Sequence, residues 1–471
     1  MQRSGVWAGA VVVAVGVAAL GTFGAVVSHD RPKADCIAAN VYFAGKSLSG
    51  LSLDQLNRVM SDWAAEHGGT QLELIAAVGP KMVSEMTTPL VLGQQLDVDK
   101  TVDNAYKVGR NLPFFQQVIR WLGGGKEVEI KPVWRWNEDQ LGAYLRDSAQ
   151  KWDVAAVNAR VYWRHRHAVI TPSQSGYEID RPAAQVVIHN DLDDDDVVPK
   201  QITLPTIPAI PTVTTQQARK IDTILGEYKT YYPLYQTSRN FNMALACEKL
   251  NGSVVLPGDK LSYNQTVGPR THAAGFRTAP VIINGQLVPG IGGGVCQVSS
   301  TLYNAGLLAG LHFPVRVHHD FPVEYLSAGR DATVAYGLID LVMQNTTSDP
   351  IAISASTRYG RVTVRVLGGE DCRQHISLAV HWLKTWPAGR KIVYVNDLPP
   401  SHHRVIEWGH RGYLVSLWRY FWDDGRIVKR ERVSLDDYQP EPDVIAVGAA
   451  KKAKEVKPAA KGLKYISTKP L

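Results

Sequence analysis

Three consecutive glycines, Gly292-Gly293-Gly294, run straight into Val295-Cys296-Gln297-Val298-Ser299-Ser300-Thr301-Leu302-Tyr303-Asn304. Glycine lacks a Cβ, so the turn can take positive φ and let a ligand approach the backbone closely. Beyond the turn, Val298, Leu302, Ala305 and Ala309 recur at helical spacing, which predicts a helix from about Cys296 onward. A cysteine in that first turn sits at the positive end of the helix dipole. There a thiol pKa falls and a thiolate nucleophile is favoured. The turn residues Gly293 and Gly294, with Gln297 after them, are candidates to hold an oxyanion through free N–H groups. These are the parts of an acyl-transfer site. A buried structural cysteine after a glycine turn fits the same pattern, because free cysteine is among the most buried residue types. The polar Gln297, Ser299, Ser300 and Thr301 favour the reactive reading.

Other short motifs flank this stretch. Upstream stand Arg239-Asn240, Leu250-Asn251-Gly252, Pro257-Gly258, Ser262-Tyr263-Asn264 and Val267-Gly268-Pro269-Arg270. Downstream stand His319, Pro322-Val323, Gly329-Arg330-Asp331-Ala332 and Asn345. In this order, over residues 228–368, the chain resembles a VanW domain. The resemblance implies a cell-wall protein. For some members it implies a peptidoglycan L,D-transpeptidase with this cysteine as nucleophile. It implies no cofactor and no metal.

A cysteine acyltransferase needs a base within hydrogen-bond reach and a group to orient it. His312, His318 and His319 are near in sequence. On a strand, His318 and His319 would face opposite ways. The family pattern has a histidine three positions before Pro322, so the resemblance assigns the base to His319. Asp320 and Asp331 are candidate orienters, and Asp331 is chosen. Arg330 is a candidate to bind a substrate carboxylate bidentately, with Ser299 and Ser300 beside it. An internal Arg330–Asp331 ion pair explains those two residues equally well. Family members commonly carry a His-x-His-Ser stretch before Pro-Val, where this chain has His318-His319-Asp320.

The chain has 471 residues and a net charge of +7, enough length for several domains and no basic stripe of the nucleic-acid-binding kind. Four cysteines, Cys36, Cys247, Cys296 and Cys372, show no Cys-x-x-Cys spacing, which argues against a cysteine-built zinc site. Outside the membrane Cys36 and Cys372 can pair if geometry permits. Residues 6–27 form an uncharged apolar run of about 22 residues, long enough to cross a bilayer as a helix. With residues 1–33 read as cytoplasmic stub and anchor, the remainder is expected outside the cell membrane, in the wall.

The expected fold class is α+β and multidomain. Between residues 34 and 204 the order helix, hairpin, Gly-x-x-x-Asp, helix occurs twice, which argues for a duplication. The second copy (126–204) resembles a peptidoglycan-binding domain, and the first (34–125) resembles it more weakly; both also fit plain spacers. Arg164-His165-Arg166-His167 reads as a solvated strand end. Prolines after the Asp193–Asp196 run mark a boundary, and residues 205–227 are expected as a linker helix. A mixed α/β-strand VanW domain follows. Residues 388–448 then resemble a G5 domain, an elongated all-β module, with Asp423-Asp424-Gly425 as a hairpin turn. Trp408, Trp418 and Trp422 can either stack on sugars or form that module's thin core. Residues 449–471 are lysine- and alanine-rich and expected to be disordered. The functional expectation is a cysteine transpeptidase acting on peptidoglycan stem peptides and glycan. The alternative is a non-catalytic wall-binding or scaffolding protein with a structural Cys296.

Overall fold

The computed structural model describes residues 36–449, except 114–115, 118–124, 194–196, 284–285 and 401. The apolar run expected to anchor the chain and the lysine-rich tail beyond residue 449 lie outside the described residues. Among the described residues no helix is long and apolar enough to cross a membrane. The chain divides into two units, Met1–Val157 with Ser175–Pro211, and Asn158–Gln174 with Thr212–Leu471.

In the first half of the chain the same element order is traversed twice. The first pass is helix Leu53–Gly69, hairpin Leu72–Val78/Lys81–Thr87, strand Gln94–Leu96 and helix Val98–Lys107. The second is helix Glu138–Trp152, hairpin Arg160–Arg164/His167–Thr171, strand Gly176–Ile179 and helix Arg181–Asp193. Each Gly-x-x-x-Asp ends in a capping carboxylate. Asp97 accepts from Lys100 N–H, and Asp180 from Ala183 N–H, both at 3.1 Å. Such caps satisfy amides that the first helical turn leaves unpaired.

The two passes are nevertheless not self-contained modules, as 34–125 and 126–204 were expected to be. Leu72, Leu74, Ala76 and Val78 of the first hairpin share a core with Leu141, Leu145 and Ile188 of the second-pass helices. Gln201–Leu204 pairs in parallel with Leu72–Val78. The first-pass helices close instead over Phe43, Leu96 and Ile130. The second-pass hairpin belongs to the other unit, where Val161 packs against Ala352 and Leu367. A lone two-stranded hairpin is marginal in water and must cover one face with something. Here the cover comes from the next core along the chain. The Arg164–His167 turn stays exposed, with His165 and Arg166 at positive φ.

The linker helix expected over 205–227 is confined to Thr215–Ala218. Thr223–Tyr231 is a strand, rich in β-branched and aromatic residues that suit a half-buried pleated surface. It starts a four-stranded sheet ordered Thr223–Tyr231, Arg361–Gly368, Ile351–Arg358, Val254–Val255. Helices Thr237–Leu250 and Val295–Leu308 bury this sheet's core, with Met243, Leu250, Val298 and Leu302 against Ile353, Val364 and Val366. Gly226 allows the close approach of strand and helix, because a Cβ there would lie 2.4 Å from Ala305 O.

At the C-terminal end, His375–Trp386, Gly412–Asp423 and Arg426–Tyr438 form one sheet, and Arg390–Pro400, Asp443–Gly448 and His403–Glu407 another. Asp424 (φ 43°) and Gly425 (φ 76°) supply the two left-handed residues that a tight hairpin requires. Trp408 is 77% exposed, whereas Trp418 and Trp422 are half-buried and Trp422 Nε1 donates to Ser377 Oγ at 2.8 Å.

Candidate active site

The hairpin Thr278–Ile283/Gln286–Ile291 delivers the chain into the glycine turn. Gly292 (φ 86°) and Gly294 (φ 100°) are left-handed, and Gly294 caps the following helix. A Cβ on Gly293 would meet Pro280 O at 2.3 Å, so only glycine fits there. Asn242 pins the turn: its Nδ2 donates to Gly293 O and Arg277 O, and its Oδ1 accepts from Arg277 N–H. Cys296 is the second residue of helix Val295–Leu308. Val295 N–H donates to Gly292 O and Gln297 N–H to Gly294 O, while no acceptor among the described residues takes the Cys296 N–H.

His319 lies in a loop after strand His312–Val315, not on a strand, so alternation does not decide which histidine faces the thiol. His319 is selected by Asp331. The Oδ2 of Asp331 accepts from both the backbone N–H and the Nδ1 of His319, each at 2.6 Å. With Nδ1 so engaged, the other ring nitrogen is the one left to interact with Cys296, whose Sγ donates to Val334 O at 3.5 Å. His318 Nδ1 donates to His319 O at 2.7 Å, and Asp320 is exposed, with no histidine bonded to it among the described residues.

Electrostatics reinforce this line. Burial pushes the Cys296 thiol up, but the hydrogen bond and charge of His319, with Arg270 nearby, bring it below its ordinary value. Burial opposes the His319 imidazolium, yet hydrogen bonds to Asp331 and Cys296 raise its pKa well above the usual range. Burial likewise opposes the Asp331 carboxylate, but His319, Arg316 and Tyr438 hold its pKa down to about 2. The arrangement favours a thiolate–imidazolium pair. As a residue Cys296 is half-buried, with its thiol enclosed among His319, Val334 and Arg270, whereas Cys247 is fully buried with no charged partner and its thiol is pushed up to about 12. All four cysteines are free, so Cys36 and Cys372 do not pair.

Several expected contact residues serve the scaffold instead. Gln297 is buried; its Oε1 accepts from Arg239 and its Nε2 donates to Thr230 Oγ1 and Tyr231 O, which leaves no side-chain donor for an oxyanion. Ser299 and Ser300 are fully buried. Both donate to Ala332 O, and Ser300 also accepts from Ala332 N–H. They clamp the segment carrying Asp331 to the cysteine helix and do not face a substrate. Arg330 does not pair with Asp331; its Nε donates to Asn304 Oδ1 and its guanidinium lies 4.6 Å from the Tyr228 ring centre. Among the described residues no cluster of histidine, cysteine or carboxylate side chains has the make-up of a metal site.

Three residues at the site carry no assignment in the sequence reading. Arg270 sits over the rings of Tyr263 and Tyr336, interacts with Cys296, and has a buried Nη2 without an acceptor among the described residues. Tyr325 interacts with Ser300 and Cys296. Tyr438, from the C-terminal β module, donates to Asp331 Oδ1 at 2.5 Å. Arg270 stands in a motif already singled out, so a signal for it existed; Tyr438 has no local signal at all.

Comparison with known proteins matches residues 238–367 to the family described as "VanW like protein" and residues 88–197 to that described as "Putative peptidoglycan binding domain". The second match begins inside the first pass rather than at 126, as expected of passes that share a core. Over 234 residues the chain is 37% identical to YoaR, an uncharacterised protein of Bacillus subtilis (strain 168), covering 50% of this chain and 75% of that one. It is 33% identical over 119 residues to the vancomycin B-type resistance protein VanW of Enterococcus faecalis (strain ATCC 700802 / V583), covering 24% of this chain and 43% of that protein. Among solved structures, HP0197-G5 matches at 18% identity, 16% of this chain, 97% of that one and a TM-score of 0.11. The IgA1 protease G5 domain matches at 24%, 17%, 95% and 0.13. Scores this low carry no argument about the C-terminal module. The match to three quarters of YoaR and the match around Cys296 agree, and the chain belongs to the VanW-like family.

Proposed function

We propose that this chain is an extracytoplasmic cysteine acyltransferase acting on peptidoglycan stem peptides. The observation that carries the reading is the line Cys296, His319, Asp331, with the thiol at a helix start and beside an imidazole that a buried carboxylate orients. In the proposed reaction the Cys296 thiolate attacks a stem-peptide carbonyl carbon. The oxygen takes the negative charge and is held by the free Cys296 N–H at the helix start, in the manner of an oxyanion hole. As the C–N bond breaks, the His319 imidazolium protonates the leaving amine, and a thioester remains on Cys296. An acceptor amine then attacks the thioester and His319 takes its proton. The C–S bond breaks and the thiolate is restored.

Arg270 is the cation this reading places against the substrate. Its unaccepted Nη2 suits a carboxylate on the donor peptide. The match to a peptidoglycan-binding domain over 88–197 supports a wall polymer as the partner. A wall location, with an anchor at residues 6–27, belongs to the same proposal. A purely wall-binding role leaves the thiolate–imidazolium pair without a purpose. The test is incubation of the full chain with defined muropeptides and chromatography of the products. New crosslinked or trimmed muropeptides, absent with Cys296→Ser, are expected. Product formation that survives Cys296→Ser would contradict the reading.

A further inference from the structure

The C-terminal β module reaches the site along its longest strand, Arg426–Tyr438. Side chains two apart on a strand share a face, and Ser434, Asp436 and Tyr438 form a polar ladder there. Ser434 Oγ donates to Asp436 Oδ2 at 2.9 Å, and Asp436 Oδ1 takes the Arg316 guanidinium at 2.5 Å. Arg316 in turn donates to the Asp331 backbone oxygen at 2.8 Å and approaches its carboxylate at 3.5 Å. The Tyr438 hydroxyl accepts from Gly329 N–H at 2.6 Å and donates to Asp331 Oδ1 at 2.5 Å. The carboxylate is therefore divided between two jobs: Oδ2 serves His319, while Oδ1 is satisfied by Tyr438 and Arg316. Without them Oδ1 would be a buried oxygen lacking its donors, which is costly. The same module also grips the far end of the cysteine helix, where Arg419 donates to Leu307 O and Leu311 O at 3.3 and 2.9 Å.

We infer that the C-terminal β module is a working part of the active site, and that Tyr438 is a positioning residue that holds Asp331 against His319 and thereby sets the reactivity of Cys296. The inference rests on the acyltransferase reading. Charged and titratable groups also face the thiol and the carboxylate: Arg239, Arg270, Tyr263 and Tyr325 around Cys296, and Arg316 with Asp436 around Asp331. They stay in place in Tyr438→Phe and Val415→Ala, so a difference between those two variants reports the Tyr438 hydroxyl.

The experiment follows the rate of Cys296 alkylation by iodoacetamide against pH in the full chain, read by peptide mapping, with thermal unfolding measured alongside. Wild type should show a midpoint below the roughly 8.5 of an ordinary thiol. Tyr438→Phe keeps the ring that packs with Ala328 and Val415 and removes only the hydroxyl. Its midpoint should rise by about one unit, with about a tenfold slower reaction on the acid side, where each unit is a factor of ten in thiolate. Val415→Ala, in the same cluster but without a bond to Asp331, should lower the unfolding temperature and leave the midpoint in place. If Tyr438→Phe does not fold, Asp436→Asn tests the same line through Arg316 and should shift the midpoint in the same direction. A depressed wild-type midpoint that is unchanged without the hydroxyl overturns the inference alone. So does an equal shift in Val415→Ala. An ordinary midpoint in wild type overturns the acyltransferase reading, and the inference falls with it.

Discussion

Two cysteines in neighbouring helices show how position sets chemistry. Cys247 is sealed in the core beside Leu250 and Met243, and burial alone pushes its thiol up to about 12. Cys296 is half-buried as a residue and has His319 beside it to share its proton. Brief alkylation at pH 7 should therefore label Cys296 on the order of a hundred times faster than Cys247, because the thiolate is the reacting form; equal labelling would contradict a helix-terminus thiolate. Asp331 makes a prediction about acid. Its pKa is held down to about 2 in the folded chain, against roughly 3.9 when unfolded. A depressed carboxylate contributes stability that is present above the unfolded value and lost as pH falls through the folded one. Acid unfolding of wild type should show a destabilising step between about pH 4 and 2 that is missing in Asp331→Asn, as followed by circular dichroism. Asp320 and Asp331 were both candidates for the orienter, decided by the Asp331 bond to His319 Nδ1, while the proposed nucleophile and base, Cys296 and His319, were legible in the sequence through the VanW-like motif order. Ser299, Ser300 and Gln297 were not, since a polar residue after a glycine turn looks the same whether it faces a substrate or ties two segments together.

At the level of elements, the glycine turn is the least replaceable piece. Gly293 packs its bare Cα against the backbone of Pro280 and Ala279, and neither can move aside as a flexible side chain would. Gly293→Ala should destabilise by about 1–3 kcal/mol, typical of overpacking, and slow Cys296 alkylation, whereas Gly69→Ala meets nothing within 4 Å and should leave both unchanged. Denaturant titration of the two variants checks this. Helices with strong periodicity and a capping residue, such as Leu53–Gly69 after Ser52 and Glu138–Trp152 after Asn137, are readable locally. The segment after Thr214 is not. A capping box starts a helix there, but Thr223–Tyr231 pairs with Arg361–Gly368, a partner over a hundred residues away in sequence. The interleaved hairpins defeat local reading for the same reason: the pattern shows what each piece is, and not which core it joins.

Over the whole molecule, the second unit joins a helix start, a loop pair and a β module at one carboxylate, Asp331. Tyr438 lies 107 residues from Asp331 along the chain, so no motif could have connected them. The proposed chemistry turns on a covalent thioester between Cys296 and a stem peptide. Intact-mass spectrometry of the full chain incubated with muropeptides tests it most directly, on wild type, Cys296→Ser and His319→Ala. An adduct with the mass of the acyl fragment is expected on wild type, with none on Cys296→Ser and slower accumulation on His319→Ala. An adduct that persists on Cys296→Ser, or none on folded wild type across varied donor peptides, would contradict it.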